Sequence, residues 1–256
     1  MNIIVFDTET VGLKTQSLLD IGYRIIDLNL STLEYTEVIN RSYLRHDLYN
    51  NRLWMINDSL VGEEKLTKYD RLVNDGNITL RSLSQMLTTL NNDIARFSPV
   101  FGYAYNCAFD IDKIQKASDE VGAPYPFENV PILDIWAFAS VAICQTDNYK
   151  EWAKENEVFT ATGKFISTSV EAVTKYLSGN LDFIEEHTAL DDTQHEVNIL
   201  IECARRGIDI TKPMKKQSYI RSGKVFTFRA VKPDGETIEF DYTDNRESKE
   251  GIIIYN

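Results

Sequence analysis

The fold is decided by the sequence IIVFDTETVGL, which runs from Ile3 to Leu13. Its four leading apolar residues predict a short buried strand. Asp7 and Glu9 follow, and side chains two residues apart on a strand point to the same face. Neighbouring carboxylates repel each other unless a cation or a proton lies between them, and carboxylates suit Mg²⁺ and Mn²⁺. The stretch therefore favours a divalent-metal site, with a strand that merely ends in polar residues as the alternative.

Length and composition are those of an ordinary globular protein. The 256 residues can form one large domain or two small ones, and 43% of them are hydrophobic. The sequence contains no apolar run of about 18 residues and no basic flank before a signal-like segment, so we expect no membrane span. The three cysteines lie far apart and match neither a zinc cluster nor a disulfide framework, which favours a reducing, cytoplasmic location.

The net charge of −12 argues against a phosphate-binding surface over the whole chain. It does not exclude a nucleic-acid enzyme, because carboxylates that hold metal ions also count as negative. A local basic stripe exists as well, since the segment from Lys212 to Lys232 has seven basic residues and no acid.

The pattern of apolar segments predicts an α/β fold with a mixed five-stranded sheet flanked by helices. Strands over 17–28 and 34–45 would form an antiparallel meander with the first strand. After residue 98, strands alternate with helices, which implies parallel additions to the sheet. The last long helix is predicted from about Thr188 to Arg206.

The chain divides into a main domain and a small appendage. Residues 1–207 are predicted to form the main domain, with 46–78 as an insertion or lid. The polar stretch 145–168 is predicted to be a loop. Residues 208–256 are predicted to form a basic, β-rich appendage, in which Pro233-Asp-Gly235 is a hairpin turn signal.

Three more residues complete the opening acidic pair. Asp110 ends the sequence NCAFD, and His187 and Asp192 lie in HTALDD at the start of the last helix. The motifs DxETxGL, NxxFD and HxAxxD, in this order, resemble the DnaQ-like 3′–5′ exonucleases of the DEDDh class, which have a ribonuclease H-like fold. The resemblance covers about residues 1–206 and includes Asp20-Ile-Gly22, where the family often carries an acid, an apolar residue and glycine.

The resemblance implies a centre with two Mg²⁺ or Mn²⁺ ions about 4 Å apart, which suits phosphodiester hydrolysis. Asp7 would bridge both ions, and Asp110 would support one of them. Glu9 and Asp192 would hold the ion nearest the attacking water. His187 would be the general base, because imidazole titrates near neutral pH. A related class has a tyrosine four residues before the last acid, and the spacing of five here favours the histidine class.

The resemblance also implies substrate contacts. The backbone at Thr10 would meet the terminal sugar, and Leu13 would pack under the last base. Phe109 would line the same pocket, with core packing as an equal alternative. Asn106 belongs to this group, although fixing its own loop is the favoured role.

The basic appendage is a candidate nucleic-acid track. Its cations alternate with aromatic residues, a pattern that suits single-stranded nucleic acid because bases stack on the aromatic rings. A solvated hairpin or a partner-docking surface is the alternative. The candidate track residues are Lys215, Lys216, Arg221, Lys224 and Arg229.

The function predicted from the sequence is a metal-dependent 3′–5′ exonuclease that acts on single-stranded or frayed DNA and releases nucleoside 5′-monophosphates. An RNA-trimming or oligoribonuclease-like enzyme is the alternative within the class. A non-catalytic nucleic-acid-binding or docking module is the alternative of another class. The expected partners are single-stranded DNA or RNA 3′ ends and a replication or repair protein, with no membrane.

Overall fold

A mixed six-stranded sheet forms the centre of the protein. The computed structural model describes residues 1–11, 17–51, 62–185, 187–215, 220–223, 225–231 and 237–243. The strands of the main sheet are β1 (Asn2–Val11), β2 (Ser17–Leu28), β3 (Tyr35–Arg45), β4 (Thr79–Arg81), β5 (Phe101–Ala104) and β6 (Ile132–Asp134). Their order is β4-β3-β2-β1-β5-β6; β1, β2 and β3 are antiparallel neighbours, and β4, β5 and β6 are each parallel to the strand that they join.

The α/β class and the mixed sheet are confirmed, and the architecture is compatible with a ribonuclease H-like fold. The predicted number of five strands is wrong, because β4 adds a sixth at the edge of the sheet. This strand has three residues, which is too short to show the alternation of apolar and polar residues by which strands are recognised.

Helices cover both faces of the sheet. They are α1 (His46–Asn50), α2 (Gly62–Asn74), α3 (Leu83–Phe97), α4 (Ala108–Val121), α5 (Ile135–Ala139), α6 (Asp147–Glu155), α7 (Val170–Ser178) and α8 (Ala189–Arg205). A π-helical turn over Ser140–Cys144 extends α5. The predicted loop over 145–168 is wrong in its first part, where Thr146 caps α6 by accepting the N–H of Tyr149. Only Tyr149 and Ala153 of this helix are buried, so its apolar pattern is weak.

Alternation along β1 divides the core into two layers. Ile3 and Val5 face a cluster that includes side chains of α5 to α8, and Ile4 and Phe6 face a cluster that includes side chains of α3 and α4. A third cluster joins β1, β2 and β3 to α2 through the buried Tyr69. The described part of the predicted insertion 46–78 therefore packs against the sheet.

The chain after α8 returns to the first of these core layers. The hydroxyl of Tyr103 donates to the carbonyl of Ile210 at 2.9 Å, and Ile220 is also buried in this layer. Further along, β7 (Val225–Val231) and β8 (Thr237–Thr243) form an antiparallel hairpin. The predicted turn at Pro233-Asp-Gly235 lies outside the described residues. Within the described part of the chain, no helix has the length and apolar composition needed to cross a membrane.

Candidate active site

The two acids of the opening stretch lie within β1. This strand is longer than expected, and Asp7 and Glu9 precede its last residue, Val11. In the ladder with β2, Asp7 is opposite Gly22 and Glu9 is opposite Asp20. Residues directly opposite each other on antiparallel strands point to the same face. Asp7 and Glu9 on β1 therefore lie on the same face of the sheet as Asp20 and Gly22 on β2, and α8 packs on this face.

Gly22 lets the start of α8 rest directly on β2. A Cβ atom at Gly22 would lie 2.1 Å from the backbone nitrogen of Leu190 and 2.3 Å from the carbonyl carbon of Ala189. The buried carboxylate of Asp20 accepts the N–H of Ala189 at 3.0 Å and the hydroxyl of Tyr69 at 3.1 Å. The sequence Asp20-Ile-Gly22 thus fixes the helix that carries Asp192.

The histidine and two of the acids come together at this helix start. Ligand atoms of Glu9, His187 and Asp192 all lie within 4.8 Å of one another. His187 is exposed and has a φ of +53°, a left-handed conformation that is uncommon for a residue other than glycine. The neighbouring Asp191 instead accepts the hydroxyl of Thr188 at 2.5 Å. The acid that lies beside Glu9 and His187 is therefore Asp192.

Asp110 reaches the centre from the first turn of α4. Its carboxylate accepts the backbone N–H of Thr8 at 3.0 Å and the Thr8 hydroxyl at 2.6 Å. Burial raises the pKa of Asp110 to about 7, although both bonds from Thr8 lower it. Thr8 lies between the two acids of β1, and sequence reasoning missed its role in holding Asp110.

Electrostatic repulsion is concentrated on Asp7. Desolvation raises its pKa well above the usual value, and four nearby carboxylates raise it further, those of Asp110, Glu196, Glu9 and Asp192. Burial likewise raises the pKa of Asp192 to about 8, with Glu185 and Glu9 adding to the effect. Such a cluster retains protons or binds cations.

Two charged residues of the centre were missed by sequence reasoning. Glu196 lies on α8 one turn after Asp192 and is 1% exposed. Glu196 is next to the apolar residue Val197 in the predicted last helix, and an acid beside an apolar helix face was a usable signal. Lys65, on α2, places its ammonium 2.7 Å from the carboxylate of Glu9. No local signal marks Lys65, because the contact joins two distant segments.

The donor set fits divalent metal ions. Carboxylate oxygens are ligands that suit Mg²⁺ and Mn²⁺. Within the described residues, the buried oxygens Asp192 Oδ1 and Glu196 Oε2 have no hydrogen-bond partner. A buried carboxylate oxygen without a donor is costly unless a cation meets it.

The structure describes three of the four predicted substrate residues. Thr10 follows Glu9 at an irregularity in the β1–β2 pairing, and Leu13 lies outside the described residues. The backbone N–H of Asn106 donates to the Asp134 carboxylate at 2.9 Å, and the predicted role of the Asn106 side chain stays a prediction. Phe109 is half-buried on α4, with the Lys113 ammonium 4.8 Å from its ring centre.

The candidate track in the appendage stays a prediction. Lys215 is exposed, and the Arg221 guanidinium lies 4.9 Å from the centre of the Phe165 ring. Arg229 on β7 pairs in register with Glu239 on β8, so an acidic residue occupies the neighbouring strand. Lys216 and Lys224 lie outside the described residues.

Comparisons with known proteins find likeness to solved structures and none at the level of sequence. No family model and no curated protein matches the sequence. A solved structure described as a full-length 3′-exonuclease matches with a TM-score of 0.44 and 11% identity, covering 86% of this chain and 95% of that chain. A likeness at this level does not by itself assign an activity to the chain.

Proposed function

We propose that the protein is a metal-dependent 3′–5′ exonuclease that hydrolyses the terminal phosphodiester of single-stranded or frayed DNA and releases nucleoside 5′-monophosphates. The observation that carries the proposal is the approach of Glu9, His187 and Asp192 to within 4.8 Å of one another. Asp7 and Asp110 are within electrostatic range of the same centre.

Four carboxylates would hold two Mg²⁺ or Mn²⁺ ions, those of Asp7, Glu9, Asp110 and Asp192. When bound, such ions neutralise phosphate charge, activate a water and stabilise the leaving oxygen. Without cations, a centre this acidic would repel a polyanion. The charge of the chain's own residues therefore supports a requirement for metal.

His187 would act as the general base. Its imidazole is exposed to solvent and lies beside Glu9 and Asp192, so it can reach a water at this centre. Neutral imidazole accepts a proton near neutral pH, and a positioned general base contributes about 10²–10⁴-fold to rate. The left-handed backbone at His187 directs the chain into α8 just after the imidazole.

Variants separate catalysis from simple binding. Asp7→Asn and His187→Ala should each lower turnover of a labelled oligonucleotide with Mn²⁺ by about 100-fold or more. We expect affinity for the same oligonucleotide, measured by fluorescence anisotropy with Ca²⁺, to change little in His187→Ala. His46→Ala is the matched control, since His46 is exposed on α1 and contacts Asn50.

The opposite result would identify a binding module. Intact protein that binds the oligonucleotide but shows no nuclease activity with Mn²⁺ or Mg²⁺ would overturn the proposed reaction. Faster turnover of RNA than of DNA would retain the reaction and replace the proposed substrate.

A further inference from the structure

A fifth carboxylate enters the centre from α8. Glu196 lies four residues after Asp192, so both side chains are on the same face of the helix. It is 1% exposed, and the carboxylates of Asp110, Asp192 and Glu185 act on it electrostatically. The residue belongs to none of the motifs on which the proposed exonuclease function rests.

One oxygen of Glu196 is fixed and the other is not. The N–H of Tyr105, the residue that follows β5, donates to Glu196 Oε1 at 3.0 Å. Oε2 is buried and has no hydrogen-bond partner among the described residues. The side chain is therefore held in one orientation with a bare oxygen inside the protein.

Oε2 accepts no hydrogen bond among the described residues, so either a proton or a cation has to neutralise it. A proton neutralises Glu196 alone, whereas a divalent cation can be shared by several carboxylates. An ionised carboxylate with a single N–H partner would be an uncompensated buried charge. A cation at Oε2 satisfies the oxygen and also reduces the repulsion between Glu196, Asp7 and Asp110.

We infer that Glu196 is a fifth carboxylate ligand of the metal centre, on the side formed by Asp7 and Asp110. This inference rests on the proposed metal-dependent function. It assigns Glu9, Asp192 and His187 to one side of the centre and Glu196 to the other. The backbone N–H of Tyr105 has the positioning role, because it orients the carboxylate that binds the ion.

Manganese binding tests the inference without relying on activity. The number of bound Mn²⁺ ions and their Kd values would be measured by electron paramagnetic resonance for the wild type, Glu196→Gln and Glu202→Gln. Glu202→Gln is the matched control, because Glu202 lies on the same helix and pairs with Arg206 at 2.9 Å. We expect Glu196→Gln to weaken one of two ions by at least about 10-fold and the control to match the wild type.

The outcomes distinguish this inference from the proposed function. An unchanged Mn²⁺ stoichiometry and Kd in folded Glu196→Gln would overturn the role of Glu196, while wild-type nuclease activity would stand. Wild-type protein that binds no Mn²⁺ would overturn both. If Glu196→Gln does not fold, Glu196→Asp takes its place, since a shortened carboxylate should also weaken one ion, and an unchanged Kd there would refute the inference.

Discussion

Substituting Gly22 by alanine tests whether the candidate site depends on the seating of α8 on β2. The added Cβ would lie 2.1 Å from the backbone nitrogen of Leu190 and 2.4 Å from its Cα. Non-bonded heavy atoms prefer a separation of about 3.5 Å, so the start of α8 would have to move by roughly 1.4 Å. Because both atoms belong to the backbone, no rotamer change relieves the overlap.

This movement of α8 should lower both the unfolding free energy and the nuclease turnover of the protein. The displaced segment carries His187 and Asp192, and it would stretch the 3.0 Å bond from the Ala189 N–H to Asp20. We expect unfolding free energy to fall by about 3 kcal/mol, which lowers Tm by roughly 6–12 °C for a chain of this size. A misplacement of about 1 Å at the reacting groups should lower nuclease turnover about 100-fold.

The assays are thermal unfolding by circular dichroism in EDTA and nuclease turnover with Mn²⁺. Gly76→Ala is the matched control, because Gly76 has a φ of +74° and nothing lies within 4 Å of its added Cβ. That variant should lose about 1 kcal/mol through backbone strain and retain full turnover. Wild-type Tm and turnover in Gly22→Ala would refute the reasoning.

Three further results follow from contacts within the site. Lys65→Met should tighten Mn²⁺ binding several-fold, since the Lys65 ammonium competes for Glu9 at 2.7 Å; an unchanged Kd would count against this competition. In EDTA, Tm should fall as pH rises from about 4 to about 8, because burial raises the pKa of Asp110 to about 7 and of Asp192 to about 8, so the folded state keeps protons that the unfolded chain releases. A flat or rising Tm over that range would contradict those shifts. Thr8→Val removes the hydroxyl that donates to Asp110 at 2.6 Å and should lower stability by about 1 kcal/mol in urea unfolding, whereas full stability would show that the bond contributes nothing.

Local signals in the sequence were sufficient to predict the first strands of the sheet and the start of the helix that carries Asp192. The span of β2, Ser17–Leu28, matches its prediction because most of its residues are apolar, among them the pairs Leu18-Leu19 and Ile25-Ile26. Ser169 is the N-cap of α7, where its hydroxyl accepts the N–H of Ala172 at 3.2 Å, and serine before an apolar helix is a local signal of this kind. His187 and Asp192 were placed at the start of α8 by the helix predicted from about Thr188 and by the motif that resembles the DEDDh exonucleases.

Features that depend on distant contacts could not be predicted in this way. β4 has three residues and is defined in the structure by its pairing with β3, a contact that the sequence does not indicate. The pairing of Lys65 with Glu9 joins α2 to β1, and neither residue has a neighbour in sequence that indicates it. Glu196 could have been noticed as an acid on a buried helix face, but its bare oxygen is a property of the folded structure.

The most direct test of the central claim is product analysis of 5′-labelled single-stranded DNA and RNA with Mg²⁺, Mn²⁺ and EDTA. A metal-dependent ladder that shortens one nucleotide at a time from the 3′ end, faster on DNA and absent in EDTA, is the expected result. Internal cuts, or no shortening of either polymer with either metal, would contradict the assignment of the acidic centre to 3′–5′ exonuclease chemistry.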